Sequence, residues 1–165
     1  MKSDMLGRSE RAAKEKAVEA AFEYAKTLTT LGMHAINLGK NVPSSYTGPI
    51  GDFTLDSIPA EMRELADKRY ASGAMIIPLD MLDAIAAMFV TGIADEKTAF
   101  PIFGGAFCAT IAGQYDIIAG ATSDRSFSPF ANLIELYQPW STRLSKMDLA
   151  RARQTLEKEM SAIPD

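Results

Sequence analysis

The feature that most limits the fold is an uncharged stretch of eighteen residues, Thr98 to Tyr115. Its sequence, TAFPIFGGAFCATIAGQY, falls just short of the about 20 apolar residues that cross a bilayer as a helix. It also holds Pro101, three glycines and Gln114. Its strongest apolar side chains supply only about 2–3 kcal/mol of insertion free energy. We therefore predict a buried central helix that continues to about Ala119, and no integral membrane span.

The composition predicts one soluble domain over residues 1–165. The chain is 47% hydrophobic and 23% charged, which is average for globular domains. Its net charge of −4 disfavours a nucleic-acid partner, because phosphates select basic surfaces. Cys108 is the single cysteine, and the charged N-terminal segment has no apolar signal core. Both observations predict a cytoplasmic protein.

Apolar residues recur at three- and four-residue spacing in several segments, and no segment has a convincing strand pattern. We predict an all-α fold, a single-domain bundle of five or six helices around the central apolar helix. One apolar stripe precedes Gly92, which is predicted to end its helix in a left-handed conformation. This stripe consists of Leu79, Leu82, Ile85, Ala86 and Phe89.

Capping and breaking residues predict where the other helices begin and end. Ser9 is predicted to cap the first helix, with Phe22 and Ala25 on one face of it. Asp95 is predicted to cap the central helix. Pro139 is predicted to interrupt the closing helix, because proline lacks the amide hydrogen that the helix needs.

Residues 40–55, rich in proline, glycine and serine, are predicted to form a long loop. One interpretation is a disordered connector. The alternative is a recognition loop in which Tyr46, Ile50 and Phe53 are exposed anchors. Trp140 is predicted to be a packing residue, or an interface residue if it is half-buried. These four residues are the candidate partner-binding set.

The sequence offers little for catalysis. His34 is the only histidine, so a metal site built on several histidines is excluded within one chain, and no phosphate-binding or dinucleotide motif is present. We expect no metal or other cofactor and no enzymatic activity. An alternative is a small-molecule-binding protein or an enzyme whose pocket lies near Phe103–Gly105. The candidate pocket residues are Asp80, Asp83, Asp95, Phe103, Gly104 and Gly105.

Two segments together resemble a known family. LDMLDAIAAMFVTGIADEKTAFPIFGGAF places a helix before a glycine turn, Thr91-Gly92, and an Ile-x-Asp-Glu step at residues 93–96. FANLIELYQPW, residues 130–140, follows as a helix ending in tryptophan. The chain is in these respects similar to the bacterial domain-of-unknown-function family numbered 4760. The resemblance implies a small helical domain from a bacterium or phage, and it brings no catalytic residues.

The sequence therefore favours a non-enzymatic helical protein–protein interaction module. Its partner is expected to be another protein or a second copy in a homo-oligomer. The small acidic form fits an inhibitor or immunity-type protein of a bacterium or phage. A peripheral membrane protein is a further alternative, supported by the charged N-terminal helix alone.

Overall fold

The computed structural model describes residues 2–37, 46–73, 75–123 and 129–161, and every regular element within these ranges is helical. The predicted all-α fold is confirmed. In chain order the elements are α1 (Lys2–Asn37), a short 3₁₀ helix (Leu55–Ser57), α2 (Ala60–Ala71), α3 (Ile76–Val90), α4 (Glu96–Gly113), α5 (Tyr115–Ser123) and α6 (Ala131–Ser161).

Four of the helices form the main bundle. Both α1 and α6 pack against α3 and α4. In cross-section, α1 therefore lies diagonally opposite α6, and α3 lies diagonally opposite α4. Helices α1 and α4 run parallel, because the amide of Asp95 donates to the carbonyl of Ala13 at one end (3.0 Å) and the Tyr24 hydroxyl lies 2.9 Å from Thr110 Oγ1 further along. Helix α2 packs on α5 beside the bundle.

Trp140 lies at the centre of the core and is fully buried. Its indole nitrogen donates to Glu96 Oε1 at 2.9 Å, which satisfies the polar edge of the ring. Four phenylalanine rings surround it, with centroids 5.3–5.7 Å away: Phe89, Phe100, Phe103 and Phe107. The packing role predicted for Trp140 is confirmed, whereas a role as an exposed partner contact is wrong.

The predicted connection between α3 and α4 is also confirmed. All five residues of the predicted α3 stripe are buried. Gly92 adopts a φ of 74°, a left-handed conformation that favours glycine. Asp95 caps α4 by accepting a hydrogen bond from the amide of Thr98 at 2.9 Å.

The predicted continuation of the central helix to Ala119 is wrong, because α4 and α5 meet at a 63° bend. Arg69 of α2 stabilises this bend and is itself buried. It donates to the carbonyl of Gly113 (3.2 Å) and to Gln114 Oε1 (2.7 Å), and it pairs with Asp116 at 2.8 Å. Burial raises the pKa of the Asp116 carboxyl, and Arg69 opposes that shift.

Two predicted helix boundaries are wrong because the helices are longer than the local signals indicate. Ser9 lies inside α1, which already begins at Lys2. Pro139 lies inside α6, at an exposed position between the buried residues Leu136 and Trp140. The packing of these two neighbours outweighs the hydrogen bond that the proline removes.

Helix α6 extends well beyond the bundle. Leu144 is its last described residue that packs on the core, and every described side chain from Ser145 to Thr155 is exposed. Residues 145–155 thus form a projecting segment roughly 16 Å long, at 1.5 Å per residue. We call this segment the α6 arm.

None of the described helices is on its own long and apolar enough to span a bilayer. Two bent pairs, α2 with α3 and α4 with α5, reach that length and apolar content only when each pair is taken together.

Candidate interaction surface

The loop residues expected to be exposed anchors are largely buried. Residues 46–54 hold no helix and pack over the α4–α5 bend, whereas residues 40–45 lie outside the described ranges. Tyr46 and Phe53 are buried, and each ring centroid lies 5.1 Å from that of Tyr115. Ile50 remains 37% exposed. The expectation that Tyr46 and Phe53 are surface anchors is wrong, because an aromatic residue distant in sequence covers them.

The position of the predicted pocket is filled. Phe103 is buried in the aromatic core. A Cβ added to Gly104 would lie 2.6 Å from the ring of Phe100, so no ligand-sized space exists there. Gly105 faces outward, and nothing lies within 4 Å of a Cβ added to it. Core packing therefore contradicts the pocket expected at Phe103–Gly105.

The three candidate aspartates do not converge on one site. Asp83 lies on α3 and accepts hydrogen bonds from the amide of Leu133 (2.9 Å) and the side chain of Asn132 (2.8 Å) in the first turn of α6. Asp95 caps α4, and the hydrogen bonds from Thr98 lower the pKa of its carboxyl. Asp80 is exposed. Two of these aspartates therefore have structural roles at different helix ends.

Cys108 is the one nucleophilic thiol of the chain, and it is buried. Burial raises the pKa of this thiol to about 12, so it is neutral at physiological pH. The described residues also contain no group of three or more His, Cys, Asp or Glu side chains placed to hold a metal ion.

The apolar face predicted on α1 lies on the exposed side of the helix. Phe22 is 67% exposed and Val18 is 42% exposed, and Ala25 is exposed one turn further on. The residues that α1 buries are instead Ala17, Ala20, Tyr24 and Thr27. The side that α1 buries therefore lies roughly 150° around the helix from the side that holds Phe22 and Ala25, at about 100° per residue, and its small alanines allow α1 to pack closely on α3 and α4.

The outward side of α4 is also apolar. Ile102 is 55% exposed, and Gly105, Ala106 and Ala109 are exposed on the following turns. Because the segment 98–115 holds no charge, this side of α4 offers only small and aliphatic groups to solvent. A helix that is apolar all round usually has its outer side covered as well.

These two apolar stripes lie next to each other. Val18 and Thr98 line the same groove between α1 and α4, together with the charged residues Arg11, Lys14, Glu15 and Glu19. Since the helices run parallel, Phe22 and Ile102 follow one turn further along the same side. We call this surface the α1–α4 face. It consists of Val18, Phe22, Ala25, Ile102, Gly105, Ala106 and Ala109.

The sequence contained the signal for this surface. The spacing of Phe22 and Ala25 indicates one helical face, but periodicity alone does not tell which of two apolar faces the chain itself covers. Only the packing of Tyr24 on Phe103, with ring centroids 5.0 Å apart, shows which side faces the core.

No family model, no curated protein and no solved structure matches the chain.

Proposed function

We propose that this protein is a non-enzymatic protein–protein interaction module that binds through the α1–α4 face. The observation that carries the proposal is the exposure of Phe22, with Val18 exposed one turn before it on α1 and Ile102 exposed on the neighbouring α4. Leaving a side chain of this size in water forgoes about 1.5–3 kcal/mol of burial free energy. Contiguous apolar patches of several hundred Å² on soluble proteins mark interaction sites.

The groups that would otherwise suggest chemistry support the same proposal. Asp83 and Asp95 are engaged at helix N-termini, Arg69 and Asp116 form a buried ion pair, and Cys108 is a buried neutral thiol. An inhibitor or immunity-type role in a bacterium or phage is compatible with such a module, because these proteins act by binding one partner. The proposed location remains the cytoplasm.

The experiment compares the capture of partners by three forms of the tagged protein. Phe22→Asp places a charge in the α1–α4 face. Ile77→Asp is the matched control, because Ile77 is equally exposed (67%) but lies on α3, outside that face. Thermal unfolding of each variant checks that it retains the fold. We expect both to do so, because substitutions of exposed residues usually change stability by only about 0.5 kcal/mol.

We expect the wild-type protein and the Ile77 variant to retain the same captured protein and the Phe22 variant to lose it. Hydrogen exchange of the complex should then show slower exchange along residues 17–29 and 98–112. Equal capture by all three forms would contradict the proposed binding surface.

A further inference from the structure

We infer that the end of the bundle from which α1 and α6 project is a second binding surface, and that it binds an acidic amphipathic helix of a partner protein. This surface is separate from the α1–α4 face, so the inference does not rest on the proposed function.

The two longest helices project from the same end of the bundle. Helix α1 begins well before Ala13, whose carbonyl accepts the amide of Asp95 just ahead of α4. Helix α6 passes the same end, because the indole of Trp140 donates to Glu96, the first residue of α4, and the α6 arm follows. The projecting part of α1, residues 2–12, and the α6 arm are each about 16 Å long at 1.5 Å per residue.

The projecting helices leave room for a further helix between them. Helices α1 and α6 occupy diagonally opposite corners of the bundle, and no described helix continues α3 or α4 beyond this end. A helix placed in either open corner would lie about 8–10 Å from both α1 and α6, the usual distance between packed helices. Its floor is the turn that joins α3 to α4. We call this space the end cleft.

The apolar core continues into the end cleft without being covered. Leu6 lies seven residues before Ala13 and Met147 lies seven residues after Trp140, so each is nearly in line with a side chain that faces the bundle. Leu6 is nevertheless 66% exposed and Met147 is 38% exposed. Ile93, in the turn at the floor, is 58% exposed. These three apolar side chains border the space that a further helix would fill.

The charge around the end cleft selects an acidic occupant. Residues 6–16 and 143–155 carry eight basic and three acidic side chains, a net charge of +5, although the whole chain has a net charge of −4. The one described ion pair within these two ranges, Arg151 with Asp148 at 3.7 Å, is exposed, so water screens it. The eight basic residues are all exposed: Arg8, Arg11, Lys14, Lys16, Arg143, Lys146, Arg151 and Arg153.

The combination of charge and apolar side chains favours an amphipathic helix over other anionic partners. The phosphates of a nucleic acid would pair with the basic residues but would leave Leu6, Ile93 and Met147 uncovered. A second copy arriving end to end would bring its own positive end against this one. An amphipathic helix covers the apolar side chains with one side, and acidic residues along its flanks meet the basic ones.

Fluorescence anisotropy with a labelled synthetic peptide tests the partner class. The probe is a helix of about 15 residues with leucine and alanine on one side and glutamate on the other. The matched probe has lysine in place of every glutamate. We expect the wild-type protein to bind the glutamate peptide at least about tenfold more tightly, and salt at about 0.5 M to weaken that binding. A DNA duplex of about 20 base pairs is the third probe and should bind more weakly than the glutamate peptide.

Two variants that add the same charge to the α6 arm test the position of the site. Met147→Glu places a carboxylate on the side that faces the end cleft and should weaken binding of the glutamate peptide at least about tenfold. Leu149→Glu is the matched control, because Leu149 is 63% exposed but lies two residues further on, roughly 200° around the helix. It should weaken binding less than about threefold. Thermal unfolding of both variants checks that they retain the fold.

Three results would overturn the inference. The first is equal affinity for the glutamate and lysine peptides, including no binding of either up to about 100 µM. The second is an equal loss of affinity in Met147→Glu and Leu149→Glu, which would show that charge acts without the end cleft. The third is tighter binding to the DNA duplex than to the glutamate peptide, which would make the basic end a nucleic-acid surface. None of these results bears on the α1–α4 face.

Discussion

At the scale of single residues, Asp95 and Asp83 both accept hydrogen bonds at the N-terminus of a helix, but only Asp95 does so on its own helix. Asp95 caps its own helix and is three residues from its donor, Thr98. Asp83 acts across the fold: it lies on α3 and caps α6, fifty residues further along the chain. A carboxylate at a helix N-terminus satisfies free amide groups and also interacts favourably with the helix dipole.

We predict that Asp83→Ala lowers the free energy of unfolding by about 1–2 kcal/mol, because α6 loses its cap. Asp80→Ala is the control, since Asp80 is exposed on the same helix and its removal should cost no more than about 0.5 kcal/mol. Urea denaturation followed by the fluorescence of Trp140, the only tryptophan, measures both variants. Equal midpoints for the two variants would show that the Asp83 cap contributes nothing measurable.

The same residues show what a sequence can predict. The Asp95 cap was predictable because its donor is local and the Asp-x-x-Thr spacing is visible. The role of Asp83 was not, since no local pattern indicates that Leu133 lies beside it. Tyr46 and Phe53 were misjudged for the same reason: the ring that covers them, Tyr115, is more than sixty residues away.

At the scale of elements, the bend between α4 and α5 depends on a side chain from a third helix. Arg69 of α2 binds the carbonyl of Gly113 and the side chain of Gln114, and it pairs with Asp116. The pair is almost fully buried, so water cannot solvate either charge if the other is removed. Removing one member of such a pair is much more costly than losing a surface ion pair.

We predict that Arg69→Met lowers the free energy of unfolding by about 3–5 kcal/mol at neutral pH, because Asp116 is left buried and unpaired. Lys68→Met is the control, because Lys68 is the exposed neighbour and water screens its ion pair with Glu64, so its removal should leave the unfolding midpoint nearly unchanged. Chemical denaturation of both variants gives the comparison.

The loss in Arg69→Met should also depend on pH. Burial already raises the pKa of Asp116, and removing the guanidinium raises it further. A raised pKa in the folded state favours the protonated form, so the variant is least affected below about pH 4, the ordinary range of an aspartate. The loss in the free energy of unfolding grows as the pH rises through the raised pKa of Asp116. A loss that is constant from pH 3 to pH 8 would contradict this explanation.

At the scale of the whole molecule, α1 and α6 are much longer than the helices that they enclose. Helices α3 and α4 span 15 and 18 residues, whereas α1 and α6 span 36 and 31. The α6 arm is the part of α6 that passes the end of the bundle. Its described side chains are exposed, so the monomer gains little free energy from packing this segment.

We predict that ending the chain at Met147 leaves the free energy of unfolding within about 1 kcal/mol of the wild-type value, because the last described core contact, Leu144, is retained. A chain ending at Ser141 is the matched control, since it loses Leu144 and the contact of Arg143 with the ring of Phe100. That control should lose about 2 kcal/mol or more. Similar losses from both truncations would show that the arm stabilises the monomer.

The fold as a whole was predictable from the sequence, and its surface was not. Periodicity identified the helical class, the α3 stripe and the central α4 segment, because these depend on the local order of apolar residues. Periodicity placed Phe22 and Ala25 on one face of α1 but did not show whether that face is buried, because both sides of α1 carry apolar residues. Choosing between them requires knowing that Tyr24 contacts Phe103, which is a property of the packed bundle.

The parallel pairing of α1 with α4 also determines when the fold can form during synthesis. Tyr24 and Thr110 are 86 residues apart, so ribosomes elongating at about 5–20 residues per second deliver α4 roughly 4–17 s after α1. During that interval α1 has emerged with both of its apolar sides open to water. When α4 arrives, it covers the side that holds Tyr24. The side that holds Phe22 stays open, and because the proposed α1–α4 face needs both helices, binding there can begin only after α4 has been synthesised.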